Sequence, residues 1–115
     1  MEAKTIDINY AKVESYVKRK RPPKEIRHKL DLGFKYEKNT FEIFEIRPVW
    51  SSTDPNDYQK SSFVKFRFVK SLKIWKLYWM RASGKWELYD PFPQSNSLDK
   101  IIECIDEDVY GCFYG

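Results

Sequence analysis

Residues 73–90, KIWKLYWMRASGKWELYD, contain three tryptophans and two tyrosines in eighteen positions. Two runs rich in aromatic and aliphatic side chains flank the polar segment Ala82-Ser83-Gly84, which is typical of a β-hairpin. Because successive side chains of a strand point to opposite faces, Trp75 and Trp79 share one face of the first strand and Tyr78 lies on the other. The stretch therefore predicts two antiparallel strands with large rings on both faces.

The register of this hairpin depends on the length of its turn. A two-residue turn at Ser83-Gly84 gathers five large apolar side chains on one face, namely Trp75, Leu77, Trp79, Trp86 and Leu88. A three-residue turn, with Gly84 in the left-handed conformation, instead brings Tyr78 and Met80 to the face of Trp86 and Leu88, because a slip of one residue exchanges faces. The sequence leaves both registers open.

Three more strands are predicted upstream of the hairpin. LDLGFKYE at residues 30–37 alternates apolar and polar side chains and predicts a strand with one buried face. FEIFEIRPVW at residues 41–50 follows a turn at Asn39-Thr40, and its two mixed faces favour a central place in the sheet. After a polar loop at residues 51–61, SFVKFRFVK at residues 62–70 predicts the third strand.

A helix is predicted before these strands, over residues 7–20. Apolar side chains occur there at helical spacing, at Tyr10, Val13 and Val17. Asp7 or Asn9 can cap the start of the helix, and Pro22-Pro23 ends it because proline lacks the backbone donor that a helix needs.

A second helix is predicted after the hairpin. Its apolar side chains recur at i, i+3, i+4 and i+7, at Leu98, Ile101, Ile102 and Ile105. Asn96 or Ser97 can cap its start, and Gly111 offers a stop at its C-terminal end.

These elements predict an α+β fold in one domain, residues 1–115. An N-terminal helix precedes a largely antiparallel sheet of about five strands in meander order, and a C-terminal helix packs on the sheet. A chain of 115 residues with 42% apolar residues is long enough for one core without disulfides or metal ions.

The charges are distributed unevenly along the chain. The net charge is +5 over residues 1–30, +5 over residues 31–86 and −6 over residues 87–115, which gives +4 in total. A basic body with an acidic tail fits a surface for phosphates, and it equally fits neutralisation of one segment by the other within the fold.

Composition argues against several classes of protein. No apolar run reaches the roughly 18 residues of a membrane span, and the first residues lack the apolar centre of a secretory signal, so we expect a cytoplasmic protein without membrane contact. Cys104 and Cys112 with one histidine cannot supply the four ligands of a structural zinc site. No metal ion, and no other cofactor, is expected.

Some rings of the hairpin are expected on a face of the sheet that two short helices leave uncovered. Basic side chains alternate with these rings, as in proteins that bind single strands through phosphate contacts and base stacking. The candidate binding residues are Arg47, Lys65, Arg67, Lys76, Tyr78 and Tyr89. Half-exposed structural rings and a homodimer interface are the alternatives.

Asp31, Glu45 and Arg47 are the candidates for chemistry. Metal-dependent nucleases often place an Asp on one strand and Glu-x-Lys on a later one, so that the carboxylates hold Mg²⁺. Here the third residue is arginine, which suits phosphate contacts better than proton transfer. A structural Glu45–Arg47 ion pair is the simpler interpretation, and His28 is expected on the surface.

Four segments together resemble a short bacterial family that is catalogued as a domain of unknown function. They are LDLGFKYE (30–37), FEIFEIRPVW (41–50), KIWKLYWMRASGKWELYDP (73–91) and DEDVYGCFYG (106–115). Members of that family commonly have histidine after the last tryptophan, where this chain has Glu87, so an essential histidine is not expected there. The resemblance supports one domain and implies no activity.

The function suggested by these residues is that of a small non-enzymatic binding module that contacts nucleic acid. A homodimeric interaction protein and a metal-dependent phosphodiester hydrolase are the two alternatives from other classes.

Overall fold

A computed structural model describes residues 2–115, with side chains from Ile8 onward. Its elements are α1 (Glu2–Lys20), β1 (Asp31–Glu37), β2 (Thr40–Pro48), β3 (Tyr58–Val69), β4 (Ile74–Met80), β5 (Trp86–Leu88), β6 (Gln94–Ser95) and α2 (Leu98–Glu107). The strands pair antiparallel in the order β1-β2-β3-β4-β5, and the short β6 pairs with β4. The predicted α+β fold and meander order are confirmed, and β6 is an addition that the sequence did not indicate.

The turn between β1 and β2 consists of Lys38 and Asn39, one residue earlier than predicted. Thr40 pairs with Glu37 across the strands. Lys38 and Asn39 have φ of 49° and 63°, as the two central residues of a type I′ hairpin turn require. The Tyr36 hydroxyl donates to the Asn39 side-chain oxygen at 3.2 Å, which ties the turn to β1.

Strand β3 contains a bulge that the sequence did not predict. Val64 pairs with Ile43 and Ser62 pairs with Phe44, so Phe63 is the extra residue. The ring of Phe63 packs 5.3 Å from that of Tyr114 in the C-terminal segment. β3 begins at Tyr58, inside the predicted loop, because β2 and β3 form a long hairpin beyond the bulge.

The β4–β5 hairpin has the register of the three-residue turn. Tyr78 pairs with Leu88 and Met80 with Trp86. The Arg81 amide donates to the Lys85 carbonyl at 3.0 Å, which leaves Ala82-Ser83-Gly84 as the turn. Gly84 has φ of 84°, the left-handed conformation that glycine adopts without steric cost.

Both predicted helices are present; α1 ends at Lys20 and α2 starts after Ser97 as predicted, and the other two ends differ. α1 begins at Glu2, so Asn9 lies within the helix and the predicted caps are wrong. α2 is capped by the Ser97 hydroxyl, which accepts from the Lys100 amide at 3.3 Å, as predicted. Its C-terminal cap is Asp108, in the left-handed conformation with φ of 43°, rather than Gly111.

The core lies between one face of the sheet and the two helices. The sheet contributes buried side chains from β2, β3 and β4, including Phe41, Ile43, Val64, Phe66, Trp75 and Leu77. The helices contribute Val13, Tyr16 and Val17 from α1 and Leu98, Ile101 and Ile105 from α2. Since both helices pack on this face, the opposite side of the sheet, called the open face below, has no helix over it within residues 2–115.

Candidate functional site

The open face brings four of the predicted binding residues together. Arg67 pairs with Lys76 across β3 and β4, and Lys65 pairs with Tyr78 two residues further along. Side chains at alternate positions of a strand share a face, so all four project from the same side. Arg67 is exposed, and the other three are half-buried.

Trp86 joins this group from β5. It pairs with Met80, two residues from Tyr78, and therefore lies on the open face. Whether Trp86 belonged there could not be read from the sequence, because the two possible turn lengths place it on opposite sides relative to Tyr78. The three-residue turn decides that the two rings share the open face.

The end of the sheet formed by the β1–β2 and β3–β4 turns is strongly basic. Its basic side chains are Lys35, Lys65, Arg67 and Lys76 on the open face and Lys38, Lys70 and Lys73 in the two turns, and its acidic ones are Glu37 and Glu42. Seven positive and two negative charges leave a net charge of +5. The Phe68 amide donates to the Asn39 carbonyl at 2.8 Å, which holds the first turn against β3.

Lys65 lies over the rings of Tyr78 and Trp86 on the open face. Its ammonium nitrogen is 4.7 Å from the ring centroid of Tyr78 and 5.0 Å from that of Trp86. Burial lowers the pKa of Lys65, because desolvation disfavours the charged ammonium, and the nearby Glu42 carboxylate opposes this effect. A cation over two aromatic faces is a cation–π contact, which supports the half-buried position of this lysine.

A shallow depression borders the same lysine. It has a volume of about 270 Å³ and is lined by Lys35, Glu37, Lys38, Thr40, Glu42 and Lys65. Polar and charged groups dominate this lining, so the depression suits a polar ligand group rather than an apolar one.

The family described as a domain of unknown function (DUF3024) matches residues 1–115. The chain belongs to this family. The resemblance that the sequence motifs indicated is thereby confirmed. No curated protein and no solved structure matches the chain. Evidence for the function of this family member therefore has to come from its own residues.

The remaining two binding candidates of this family member lie away from the open face. Arg47 is near the end of β2, on the side opposite Phe44, and its Nε donates to a Glu45 carboxylate oxygen at 3.0 Å. Tyr89 is only 2% exposed and packs 4.9 Å from Phe113 in the core. Burial raises the pKa of Tyr89 to about 12.

The residues considered for metal-dependent hydrolysis are separated. Asp31 pairs with Ile46, whereas Glu45 pairs with Leu32, so the two carboxylates point to opposite faces of the sheet. Arg21 donates two hydrogen bonds to Asp31, and this arginine lowers the pKa of the Asp31 carboxyl group. Among the residues that the structure describes, no three His, Cys, Asp or Glu side chains form a group that could hold a metal ion.

No helix within the described residues is long and apolar enough to cross a membrane.

Proposed function

We propose that this protein is a small non-enzymatic module that binds single-stranded nucleic acid on its open face. The observation that carries the proposal is the joint position of three cationic side chains and two rings on the face without a helix: Lys65, Arg67, Lys76, Tyr78 and Trp86.

The charges of the open face suit a phosphate backbone. Arg67 and Lys76 are neighbours across two strands, and Lys70 and Lys73 extend the positive charge into the β3–β4 turn. Lysine and arginine gain affinity for nucleic acid by replacing the counterions condensed on the phosphates. This contribution does not depend on base sequence, so we expect little sequence preference from it.

The rings argue for unpaired bases. Tyr78 and Trp86 lie on the surface of a sheet, where a base has to leave its own stack to contact them. Stacking of a base on an aromatic side chain contributes about 1–3 kcal/mol and tolerates any base. A duplex keeps its bases inside, so it can use only the charges of this face.

We also propose a cytoplasmic location. Cys104 and Cys112 are free thiols in the structure, and thiols of this kind persist in a reducing compartment. The cytoplasm also contains single-stranded RNA, a partner that fits the open face.

The proposal is tested by binding of a fluorescently labelled strand of about eight nucleotides, measured by anisotropy over a range of salt concentrations. Each phosphate contact adds about −0.7 to the slope of log affinity against log salt for a single strand. Three cationic contacts predict a slope of about −2 and a clear preference over a duplex of the same length. Absence of binding at low salt would refute the proposal.

Two arginine variants locate the surface. Arg67→Ala is expected to reduce the slope by about 0.7, because it removes one phosphate contact. Arg47→Ala is the matched control, since Arg47 is also an exposed strand arginine but lies on the other side of the sheet. An equal loss in both variants would show that the open face is not the binding surface.

Self-association is the outcome that competes with this proposal. If the open face were a homodimer interface, light scattering would give twice the chain mass of 13.9 kDa. Trp86→Ala would then convert the dimer to a monomer. We expect a monomer at micromolar concentration, with the open face accessible to nucleic acid.

A further inference from the structure

Lys65 occupies the positions that stacked bases would need. Its ammonium group lies within 4.7 Å of the Tyr78 centroid and 5.0 Å of the Trp86 centroid, which places one cation over both rings. A base that stacks on either ring also has to lie over the face of that ring. The cation and the bases therefore compete for the two rings of the proposed binding site.

We propose that Lys65 is a displaceable cap on this site, and the inference rests on the proposed function. When a single strand binds, the ammonium group leaves the two rings and contacts a phosphate. Two unpaired bases then stack on Tyr78 and Trp86. The ligand class is thereby narrowed to strands that offer both unpaired bases and a phosphate near Lys65.

The geometry allows one strand to reach both rings. The two lysine-to-ring distances limit the separation of the ring centroids to at most 9.7 Å. Four nucleotides, joined by three steps, cover that distance even at the compact duplex spacing of about 3.4 Å per step. A short single strand therefore suffices to engage both rings.

The lysine can move without breaking the fold. It is half-buried, and a lysine ammonium sits at the end of a flexible four-carbon chain. Burial lowers the pKa of Lys65, which indicates that the ammonium has lost part of its hydration. Contact with a phosphate replaces that hydration with an opposite charge, which offsets part of the cost of leaving the rings.

The test compares a normal strand with an abasic strand of the same length, both labelled and both about eight nucleotides long. The abasic strand offers no base to replace the lysine, so Lys65 stays on the rings and this strand contacts the other cationic side chains. The ratio of the two affinities therefore measures base stacking less the cost of moving Lys65 off the rings. In Lys65→Ala the rings are uncapped, and we expect this ratio to rise by up to about tenfold, a limit set by the strength of the lost cation–π contacts. The salt slope of the normal strand is expected to fall by about 0.7 in Lys65→Ala, because one phosphate contact is lost.

Arg67→Ala is the control for charge. It is expected to reduce the salt slope by the same amount and to leave the affinity ratio unchanged, because Arg67 does not cover a ring of this pair. Lys65→Gln retains most of the side-chain stem and removes the charge, so it keeps the test valid if Lys65→Ala unfolds. Far-UV circular dichroism identifies a variant that is folded.

The outcomes separate the two proposals. If the wild-type protein binds neither strand, the proposed function fails. If the wild-type protein binds both strands and the Lys65 variants leave the affinity ratio unchanged or lower it, the cap is overturned while nucleic-acid binding stands.

Discussion

Arg21 and Asp31 form a forked ion pair between the end of α1 and the start of β1. The Nε and Nη2 groups of Arg21 donate to the two carboxylate oxygens of Asp31 at 2.9 and 2.7 Å. Asp31 also accepts from the Leu32 amide at 2.8 Å. The pair links the first helix to the first strand across the intervening proline-containing segment.

Arg21→Ala is expected to lower the free energy of unfolding by about 1 kcal/mol near neutral pH, since the pair is bidentate and half-buried. Arg21 holds the pKa of Asp31 below its ordinary value. This stabilisation is therefore complete above the ordinary pKa of aspartate and is lost as the pH falls through the lowered value in the folded state. Urea denaturation at a series of pH values measures it.

The exposed pair Lys12–Asp99 supplies the control for this prediction. Its side chains are 40% and 70% exposed, so Lys12→Ala is expected to change stability by less than about 0.5 kcal/mol. A difference between wild type and Arg21→Ala that persisted unchanged into strong acid would contradict the assignment to Asp31.

Asp108 ends α2 and also holds the chain that follows. Its carboxylate accepts from the amides of Phe113 and Tyr114 at 3.0 and 2.8 Å. Asp108→Ala is expected to cost about 2–3 kcal/mol, because two charge-assisted hydrogen bonds are lost and alanine is strained at a φ of 43°. Chemical denaturation and amide exchange at Phe113 and Tyr114 measure the effect.

Two further substitutions separate the loss of the hydrogen bonds from the backbone strain in Asp108→Ala. Asp108→Gly removes the carboxylate without the backbone strain and is expected to be about 1 kcal/mol more stable than Asp108→Ala. Asp108→Asn keeps one acceptor oxygen and tolerates the left-handed conformation, so it is expected to be the mildest of the three. Equal stability of Asp108→Gly and Asp108→Asn would show that the side-chain oxygens of Asp108 do not hold the tail.

Gly33 is required by the close approach of Phe44. A Cβ atom at position 33 would lie 2.7 Å from Cε1 and 3.0 Å from Cζ of Phe44, a ring that is only 6% exposed. Gly33→Ala is therefore expected to cost about 1–3 kcal/mol. Adding Phe44→Leu should recover part of this loss relative to the sum of the single changes, which a double-mutant cycle detects.

Gly84→Ala is the matched control for Gly33. No atom lies within 4 Å of its added Cβ, but the φ of 84° makes the substitution unfavourable by about 1 kcal/mol. Phe44→Leu is expected to have no coupling with Gly84→Ala. If Phe44→Leu coupled equally with Gly33→Ala and Gly84→Ala, a local clash between Phe44 and the alanine side chain at position 33 would be excluded.

Burial raises the pKa of both the Cys104 and the Cys112 thiol, and the negative charge of Asp108 adds to the effect. Only the thiolate attacks thiol reagents, so both residues are expected to react more slowly than in the unfolded chain near neutral pH. The rates with Ellman's reagent, with and without urea, check this. Rapid reaction of the folded protein would contradict it.

Local periodicity was sufficient to predict most of the elements. The alternation of Leu32, Phe34 and Tyr36 identified β1, and the spacing of Ile101 and Ile105 identified α2, because both signals come from residues that are close in the chain. The predicted ends of the helices and strands were less accurate. The stop of α2 at Asp108 depends on contacts with the later residues Phe113 and Tyr114, which no local pattern contains.

The candidate site was only partly predictable. Basic residues and aromatic rings alternate in two predicted strands, which indicates Lys65, Arg67, Lys76 and Tyr78 as binding residues. The pairing of β3 with β4 brings these four together. Arg47 and Tyr89 met the same compositional criterion but lie elsewhere. Their position depends on strand register and burial, and neither property follows from residue type.

The sequence by itself determined the kinds and order of the elements, the basic body and the surplus of large rings, since these follow from composition and short-range spacing. The tertiary structure decided that both helices pack on one face, that the turn at Gly84 has three residues and that Lys65 covers Tyr78 and Trp86. The reason is physical: a shift of one residue in strand pairing reverses which side chains face the core, and its cost is set by packing between distant segments.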